Sequence, residues 1–268
     1  MGTTEQTTFD ARNYWETRLA QASGLEGVGY IGLGQAFNEW MYRVRAVVFK
    51  RVVRPLLPKD AKVLDVGSGT GVYLRLWQNL GAARISGSDI TDTAVGRLKE
   101  QRDLKGIDLF RMDISAGDAR LDGSYDMASC MDVLFHIVDD AKLAKALRNF
   151  HQALKPGGTL IISDNFLHHQ EGSEKHFVVR SLAQYEAALR SAGFEPMVRR
   201  PMFHLLNRPM DSRSSLLWRW WALVERTCRA SCTVGGILAM VVFPIELLAV
   251  GLRKEGVSTE IMVCRRSV

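Results

Sequence analysis

The segment that most constrains the fold lies between residues 63 and 71 and reads VLDVGSGTG. A short apolar run, 63–66, leads directly into glycines at three alternate positions, and an apolar helical pattern follows at 72–80. Glycine tolerates a positive φ and lets a ligand approach the backbone. The first turn of a helix presents free N–H groups and a partial positive charge. A strand, a glycine turn and a helix in this order predict the ligand-binding crevice of an open α/β sheet.

The glycine spacing leaves two classes of ligand open. The dinucleotide fingerprint is G-x-G-x-x-G, whereas this chain has G-x-G-x-G with Val72 directly after the last glycine. Asp65 stands just ahead of the turn, where a carboxylate repels a pyrophosphate and suits an ammonium group. The pattern therefore favours a ligand with an amino-acid end and no phosphate, and NAD remains the alternative.

Four further strand-like segments follow in the order expected of a parallel sheet. The second strand ends in Asp89, where a carboxylate can accept both hydroxyls of a ribose. The third strand ends at Asp113 and Ile114, an acid and an apolar residue that can bond and sandwich an adenine ring. The fourth strand runs into a loop that contains His136, and a Lys-Pro-Gly-Gly turn precedes the fifth.

Together these segments resemble the class I S-adenosylmethionine-dependent methyltransferases of small molecules. The resemblance covers residues 60–164 and is carried by VLDVGSGTG (63–71), SDI (88–90), MDI (112–114), YDMASCMDVLFHI (125–137) and LKPGGTLIISD (154–164). It implies S-adenosylmethionine as the cofactor and a doubly wound, seven-stranded, mostly parallel α/β sheet with helices on both faces. In that family the last strand inserts antiparallel between strands five and six. We therefore expect the order 3-2-1-4-5-7-6, with 194–200 as strand six and 258–265 as strand seven.

The resemblance also implies the cofactor contacts. The glycine turn would hold the methionine end, the acids of strands two and three the ribose and adenine, and an N-terminal cap would close over them. The predicted cofactor-binding residues are Asp65, Gly67, Ser68, Gly69, Gly71, Asp89, Ile90, Asp113, Ile114, Met131, Tyr14, Trp15 and Tyr30.

Two regions outside the recognised core complete the predicted organisation: an N-terminal helical cap at 1–58, and a helical insertion at 202–257 within the 59–268 core. The insertion carries an aromatic and basic helix, 214–224, and an almost wholly apolar stretch, 233–252. That stretch is long enough to span a bilayer, but Glu246 and Pro244 interrupt it. We expect a buried helix pair that forms a hydrophobic substrate lid, with a membrane-touching patch as the alternative.

Methyl transfer requires the acceptor and the methyl group to be held in line, and a hydroxyl acceptor also needs a base. His136 is the predicted base, with an orienting role as the alternative, and Asp132 and Asp139 are the carboxylate alternatives. The loop after the fifth strand contains His168, His169 and His176, whose spacing matches no common metal site, so no metal is predicted. The predicted substrate-binding residues are His168, Arg180 and Tyr185.

The charge pattern limits the partners. The chain has a net charge of +6 at pH 7 without long Lys/Arg runs, and no basic stripe with interleaved aromatics indicates a nucleic acid. Ser129-Cys130-Met131-Asp132 replaces the signature of amino-group methylation of nucleic-acid bases. The polar residues 1–8 lack an apolar signal segment, so we expect a cytoplasmic location.

These features predict O-methylation of a small, hydrophobic or lipid-like acceptor, with possible peripheral contact with lipid. The oligomeric state is left open. Two other functions stay open as alternatives: an NAD-dependent oxidoreductase, and an inactive cofactor-binding partner protein.

Overall fold

The computed structural model describes residues 9–267 apart from 23, 169–171 and 175. Its centre is a seven-stranded sheet in the order β3-β2-β1-β4-β5-β9-β8. The strands are β1 (Lys62–Val66), β2 (Arg84–Asp89), β3 (Asp108–Arg111), β4 (Tyr125–Met131), β5 (Leu154–Asp164), β8 (Phe194–Pro201) and β9 (Glu260–Arg266), and the separate pair β6 (Gly172–Glu174) and β7 (Phe177–Val179) forms a small antiparallel hairpin. β1 to β5 pair in parallel, and β9 runs antiparallel between β5 and β8. The predicted order is confirmed when the hairpin, which lies outside the sheet, is left out of the numbering.

Helices cover both faces of this sheet. They are α1 (Ala11–Gln21), α2 (Leu25–Val28), α3 (Gly34–Val53), α4 (Val72–Leu80), α5 (Asp92–Glu100), α6 (Asp140–Ala153), α7 (Leu182–Ser191), α8 (Ser215–Ala230) and α9 (Cys232–Leu252). Successive strand residues point to opposite faces, so Val63 belongs to the core that includes residues of α3, α4, α8 and α9, whereas Leu64 belongs to the core that includes residues of α6 and α7. Both faces are apolar, as buried parallel strands require.

The region predicted as a cap joins the core at two places. The Glu16 carboxylate of α1 accepts the backbone N–H groups of Asp92 at 2.6 Å and Thr93 at 3.2 Å. A carboxylate at a helix N-terminus is favourable for its free N–H groups and its dipole, so this contact fastens α1 to α5. The helix α3 contributes Phe37, Val44 and Phe49 to the fully buried core beside the sheet.

The insertion before the last strand forms the helical hairpin α8–α9, as expected, but Pro244 does not break α9. Proline removes one backbone hydrogen bond, here the bond to the carbonyl of Met240. Pro244 and Met240 lie on the exposed side of the helix, where water can satisfy that carbonyl. Gly235 and Gly236 allow close packing at its start. An added Cβ would lie 2.7 Å from Cys228 Sγ of α8 and 2.6 Å from Ala36 Cβ of α3, respectively.

Within the described residues, α9 is the one helix long and apolar enough to cross a membrane, and only a third of its most apolar window is buried. The prediction of a buried helix pair is therefore wrong for the outer side of α9. The inner side packs against α3 and α8, away from both cavities described below.

Candidate active site

The glycine turn after β1 is held open by backbone geometry. Gly67, Gly69 and Gly71 all have positive φ, between 49° and 83°, which glycine adopts without a steric penalty. The N–H groups of Gly67 and Ser68 donate to the Ser88 carbonyl at 2.8 and 2.9 Å. The turn is thereby attached to β2, and Gly67, Ser68 and Gly69 line a cavity at the carboxyl ends of the strands.

Asp65 lies beneath this turn rather than in the cavity. One carboxylate oxygen accepts the Ser68 hydroxyl at 2.8 Å and the other accepts the Ser129 hydroxyl at 2.5 Å. Burial raises the pKa of Asp65 to about 6. With both oxygens engaged by hydroxyls from the turn and from β4, Asp65 stabilises the turn and does not line the cavity. Gly71 is also outside the lining, where it begins α4.

Asp89 connects three parts of the site. Its Oδ1 accepts the Thr91 N–H at 3.0 Å and the Thr91 hydroxyl at 2.8 Å, and its Oδ2 accepts the Gly69 N–H at 3.0 Å. Burial raises the pKa of this carboxyl. Asp89 and the neighbouring Ile90 line the cavity, as does the pair Asp113 and Ile114 after β3.

The charge of the cavity wall is one-sided. The described lining contains the carboxylates of Asp89, Asp113 and Asp132 but no Lys or Arg. A pyrophosphate needs cationic or N–H partners. Asp132 is paired with Arg45, but the carboxylates of Asp89 and Asp113 oppose a pyrophosphate. A sulfonium next to an amino-acid end suits this wall, so the lining fits S-adenosylmethionine better than NAD. Met131, at the end of β4, completes the apolar part of the wall.

A second cavity of about 480 Å³ adjoins the first, a size typical of small-molecule sites. The two cavities share Trp15, Val28, Tyr42, Asp132 and His136. Tyr14 and Tyr30 line the second cavity but not the first, as do Phe135 and Phe177. The predicted cap aromatics therefore divide: Trp15 borders both cavities, and the two tyrosines border the acceptor side.

His136 stands at the junction in a defined protonation state. Its Nδ1 lies 2.7 Å from the His176 carbonyl oxygen. Because a carbonyl only accepts, Nδ1 carries the proton and Nε2 has a free lone pair. Burial lowers the pKa of His136 to about 4, so the ring is neutral at physiological pH. The edge of the Trp15 ring, 4.8 Å between centroids, fixes the imidazole from the cap side.

Asp132, the carboxylate alternative, is engaged elsewhere. It adopts a left-handed conformation with φ 59°, forms an ion pair with the buried Arg45 of α3, and accepts the Ser163 hydroxyl at 2.9 Å. The Asp132 carboxylate is thus engaged by a guanidinium and a hydroxyl, whereas His136 keeps the lone pair of Nε2 for a proton. Asp139 lies outside both cavities and caps α6 by accepting the Lys142 N–H at 2.9 Å.

The three predicted substrate-binding residues lie outside both cavities. Arg180 is buried and donates to Asp140 Oδ1 at 2.9 Å and to the Ile137 carbonyl at 2.8 Å. Tyr185 is fully buried and donates its hydroxyl to Asp164. His168 lies beside Asp211, with Nδ1 2.6 Å from a carboxylate oxygen.

Each of the three is thus occupied by a structural contact, and this corrects their predicted placement in the acceptor pocket. His169 lies outside the described residues. Among the described residues no group of His, Cys, Asp and Glu side chains could hold a metal ion.

The acceptor side is built by residues that sequence reasoning missed, above all Arg18, Tyr42 and Arg45. Arg18 donates to the Gly27 and Gly29 carbonyls, each at 2.8 Å, and so shapes the rim of the cavity. One signal was available for Arg45. It falls next to Met41, Val44 and Val48 on the apolar face of a predicted helix, where a charge needs a partner.

Comparisons with known proteins agree with this geometry. The model of the methyltransferase domain family matches residues 63–158. The ubiquinone biosynthesis O-methyltransferase of Pseudomonas aeruginosa (strain LESB58) is 29% identical over 104 residues, which are 38% of this chain and 43% of that protein. The match thus spans less than half of the relative's length.

Two solved structures share the fold at low identity. The [4+2]-cyclase SpnF superposes with a TM-score of 0.55 and 20% identity, over 83% of this chain and 81% of that one. An S-adenosylmethionine-dependent methyltransferase from Mesorhizobium loti does so with a TM-score of 0.52 and 18% identity, over 83% of this chain and all of the other (100%).

Residues 63–158 are a methyltransferase domain, and the sheet around them has the fold of the class I S-adenosylmethionine-dependent methyltransferases. The cofactor of this domain is S-adenosylmethionine. The acidic wall of the first cavity is the feature of the structure that fits it.

Proposed function

We propose that this protein transfers a methyl group from S-adenosylmethionine to a hydroxyl of a small, apolar acceptor. The observation that carries the proposal is His136 at the junction of the two cavities, with Nδ1 donating to the His176 carbonyl and Nε2 free. A neutral imidazole with a free lone pair at the boundary between cofactor and acceptor is positioned to take the hydroxyl proton as the methyl group is transferred.

The bound cofactor supplies an electrophilic methyl group on a sulfonium. Gly67, Gly69 and Asp89 would hold it, since they line the first cavity. The glycines let the cofactor approach the backbone closely, and the Asp89 carboxylate keeps one acceptor position open beside the Gly69 N–H. The aromatic walls Trp15, Tyr30 and Phe135 would position an apolar acceptor in the second cavity. His136 Nε2 would take the hydroxyl proton, and the cap over both cavities would exclude water.

The acceptor class follows from the lining and from the relatives. The second cavity combines aromatic walls with a polar end, where the Thr259 hydroxyl donates to Asn165 Oδ1 at 3.0 Å and Asn207 donates to Thr259 at 3.1 Å. A ring with one or two hydroxyls and an apolar substituent has matching chemistry. Relatives named as ubiquinone biosynthesis O-methyltransferases support oxygen as the methylated atom. An acceptor of this kind partitions into lipid, in keeping with the expected peripheral contact.

The first test is calorimetric titration with S-adenosylhomocysteine, with NADH as the control. We expect micromolar binding of the first only, since the acidic wall opposes a pyrophosphate. NADH binding alone would restore the oxidoreductase alternative. Turnover is then measured with labelled S-adenosylmethionine on catechols and phenols that carry alkyl chains of increasing length. Absence of turnover on the whole panel despite tight binding would favour the inactive partner protein.

The role of the histidine is tested by His136→Asn. The Asn amide can keep the donor to the His176 carbonyl but has no group in place of Nε2. We expect unchanged affinity for S-adenosylhomocysteine and a loss of turnover of about 10²-fold or more. Full turnover in this variant would assign His136 an orienting role only.

A further inference from the structure

The outer side of α9 is an apolar surface with no partner among the residues that the structure describes. Val234, Ile237, Val241, Ile245, Leu248 and Leu252 recur every three or four residues and are 51–77% exposed, with Met240 beside them. Because a helix rises about 1.5 Å per residue, this stripe is roughly 30 Å long. Monomeric soluble proteins rarely expose a contiguous apolar patch of this extent, which marks it as an interaction surface.

Basic side chains border the stripe on both sides. On α8, leucines and arginines alternate along one exposed face. They follow each other at helical spacing and are Leu216, Arg219, Leu223 and Arg226. On α3, the Arg43 guanidinium lies over the Trp40 ring at 4.0 Å, and that ring packs on Phe243 of α9.

Acids are scarce around this surface. The structure describes every residue of α8 and α9, and neither helix has an exposed Asp or Glu. Glu225 is partly buried beside Trp221, and Glu246 is fully buried. On α3, Glu39 is exposed and accepts from Gln35. The stripe therefore has an apolar centre and a predominantly cationic border.

We infer that the α8–α9 surface docks on an anionic lipid bilayer, with α9 lying in the plane of the interface. Apolar side chains of such a helix enter the boundary between headgroups and acyl chains, while the bordering arginines contact lipid phosphates. Arginine stems cover apolar surface and keep the guanidinium in the polar layer, as the alternation on α8 requires.

The inner side of α9 excludes a spanning orientation. The Glu246 carboxylate accepts the backbone N–H groups of His204 and Leu205, each at 2.7 Å. Gly235 and Gly236 bring the helix into close contact with α8 and α3. A spanning α9 would place this carboxylate in hydrocarbon without its partners, which is costly, and would leave the two N–H groups without their acceptor. The helix therefore stays on the protein and presents only one side.

A second copy of the chain is a poorer occupant than lipid. A two-fold interface pairs the same patch with itself, so the arginines of α8 would face arginines without exposed acids on either helix to pair with. Lipid phosphates supply the missing anions.

The rim of the acceptor cavity contacts the inner side of α8. Ile31 is 60% exposed and lines that cavity, and the neighbouring Tyr30 packs against Trp221 of α8, 6.0 Å between ring centroids. Docking would bring this rim close to the bilayer, where an acceptor with an apolar chain resides. This last step rests on the proposed function, whereas the docking itself does not.

The test is flotation of the full chain with vesicles of phosphatidylcholine alone or with 30% phosphatidylglycerol (about a third anionic lipid), without cofactor or acceptor. We expect strong binding to the anionic vesicles, weakened by salt. Val241→Asp with Ile245→Asp should reduce binding at least about tenfold, and Arg219→Glu with Arg226→Glu about 30-fold or more.

Matched controls lie elsewhere on the surface. Met197→Asp changes an exposed apolar residue of β8, and Lys145→Glu with Arg148→Glu reverses two exposed charges on α6. Both should bind like the unchanged chain. Equal vesicle binding by all variants would overturn the inference. Absence of vesicle binding together with a dimer in light scattering, which Val241→Asp with Ile245→Asp dissociates, would also overturn it. Calorimetry with S-adenosylhomocysteine shows that each variant is folded and reports separately on the proposed function.

Discussion

Replacement of Asp89 by asparagine tests the cofactor site most sharply, because every hydrogen bond of this carboxylate is defined. A carboxylate offers about four lone-pair positions. Three are filled by the Thr91 N–H, the Thr91 hydroxyl and the Gly69 N–H. One position on Oδ2 remains, so Asp89 can accept one ribose hydroxyl, and a second only by releasing the glycine turn. The predicted contact with both ribose hydroxyls is therefore reduced to a contact with one hydroxyl.

The expected magnitude follows from that single bond. A hydrogen bond to a charged group contributes about 1.5–3 kcal/mol, which corresponds to about a 10- to 150-fold change in affinity. In Asp89→Asn the amide oxygen can keep both hydrogen bonds from Thr91 only if the NH₂ group takes the place of Oδ2. Two donors, this NH₂ group and the Gly69 N–H, would then face each other. The variant should therefore also lose about 1–3 kcal/mol of unfolding free energy.

The assay is calorimetric titration with S-adenosylhomocysteine, beside urea unfolding. Asp103→Asn is the matched control, since this carboxylate is exposed and lies outside the cavity. A loss of affinity in Asp89→Asn no larger than in the control would refute the ribose assignment. A loss far beyond about 150-fold in a folded variant would refute the single-bond argument, since it would require a second contact.

Two further predictions concern stability. Because burial lowers the pKa of His136 to about 4, the unfolded chain takes up that proton first as the pH falls below about 6.5. The free energy of unfolding should drop by up to about 3 kcal/mol between pH 6.5 and 4. In His136→Asn, urea unfolding should show a pH dependence without this drop. Parallel curves of unfolding free energy against pH for the two proteins would contradict the prediction. Gly67→Ala and Gly157→Ala both place alanine at a positive φ, but only the first sets a Cβ 2.3 Å from Val133. The unfolding free energy from urea titration should therefore fall by about 1–3 kcal/mol more in Gly67→Ala than in Gly157→Ala, and equal losses in the two variants would exclude the clash.

The sheet could be predicted because its signals are local and repeated. Each strand is a short apolar run with a turn or an acid at its end, and β1 to β5 occur in the predicted sequence. Asp89 ends β2, Gly67 and Asp113 come just after β1 and β3, and parallel strands bring their carboxyl ends to one edge. All three residues line one cavity, and their positions in the sequence are enough to predict this.

The acceptor side could not be predicted in the same way, because side-chain direction decides it. Arg180 and Tyr185 follow the fifth strand closely, yet both point into the protein and are bound by Asp140 and Asp164. Arg45 reaches the same region from a helix 87 positions before Asp132, its partner. The apolar neighbours of Arg45 indicate that its charge needs a partner but do not identify Asp132. The inward direction of Arg180 and Tyr185 leaves no pattern in the sequence, since buried and pocket positions use the same residue types.

The helix α3 connects the acceptor cavity with the proposed docking surface. Asn38, Met41, Tyr42 and Arg45 line the cavity at helical spacing, whereas Ala36, Trp40 and Arg51 contact α9 from the opposite side of the same helix. A helix packed on both sides moves as a rigid element. The cavity consequently has a set height and orientation relative to α9. If α9 lies in the interface, the cavity therefore keeps one distance from the bilayer and one orientation to it in every docked molecule.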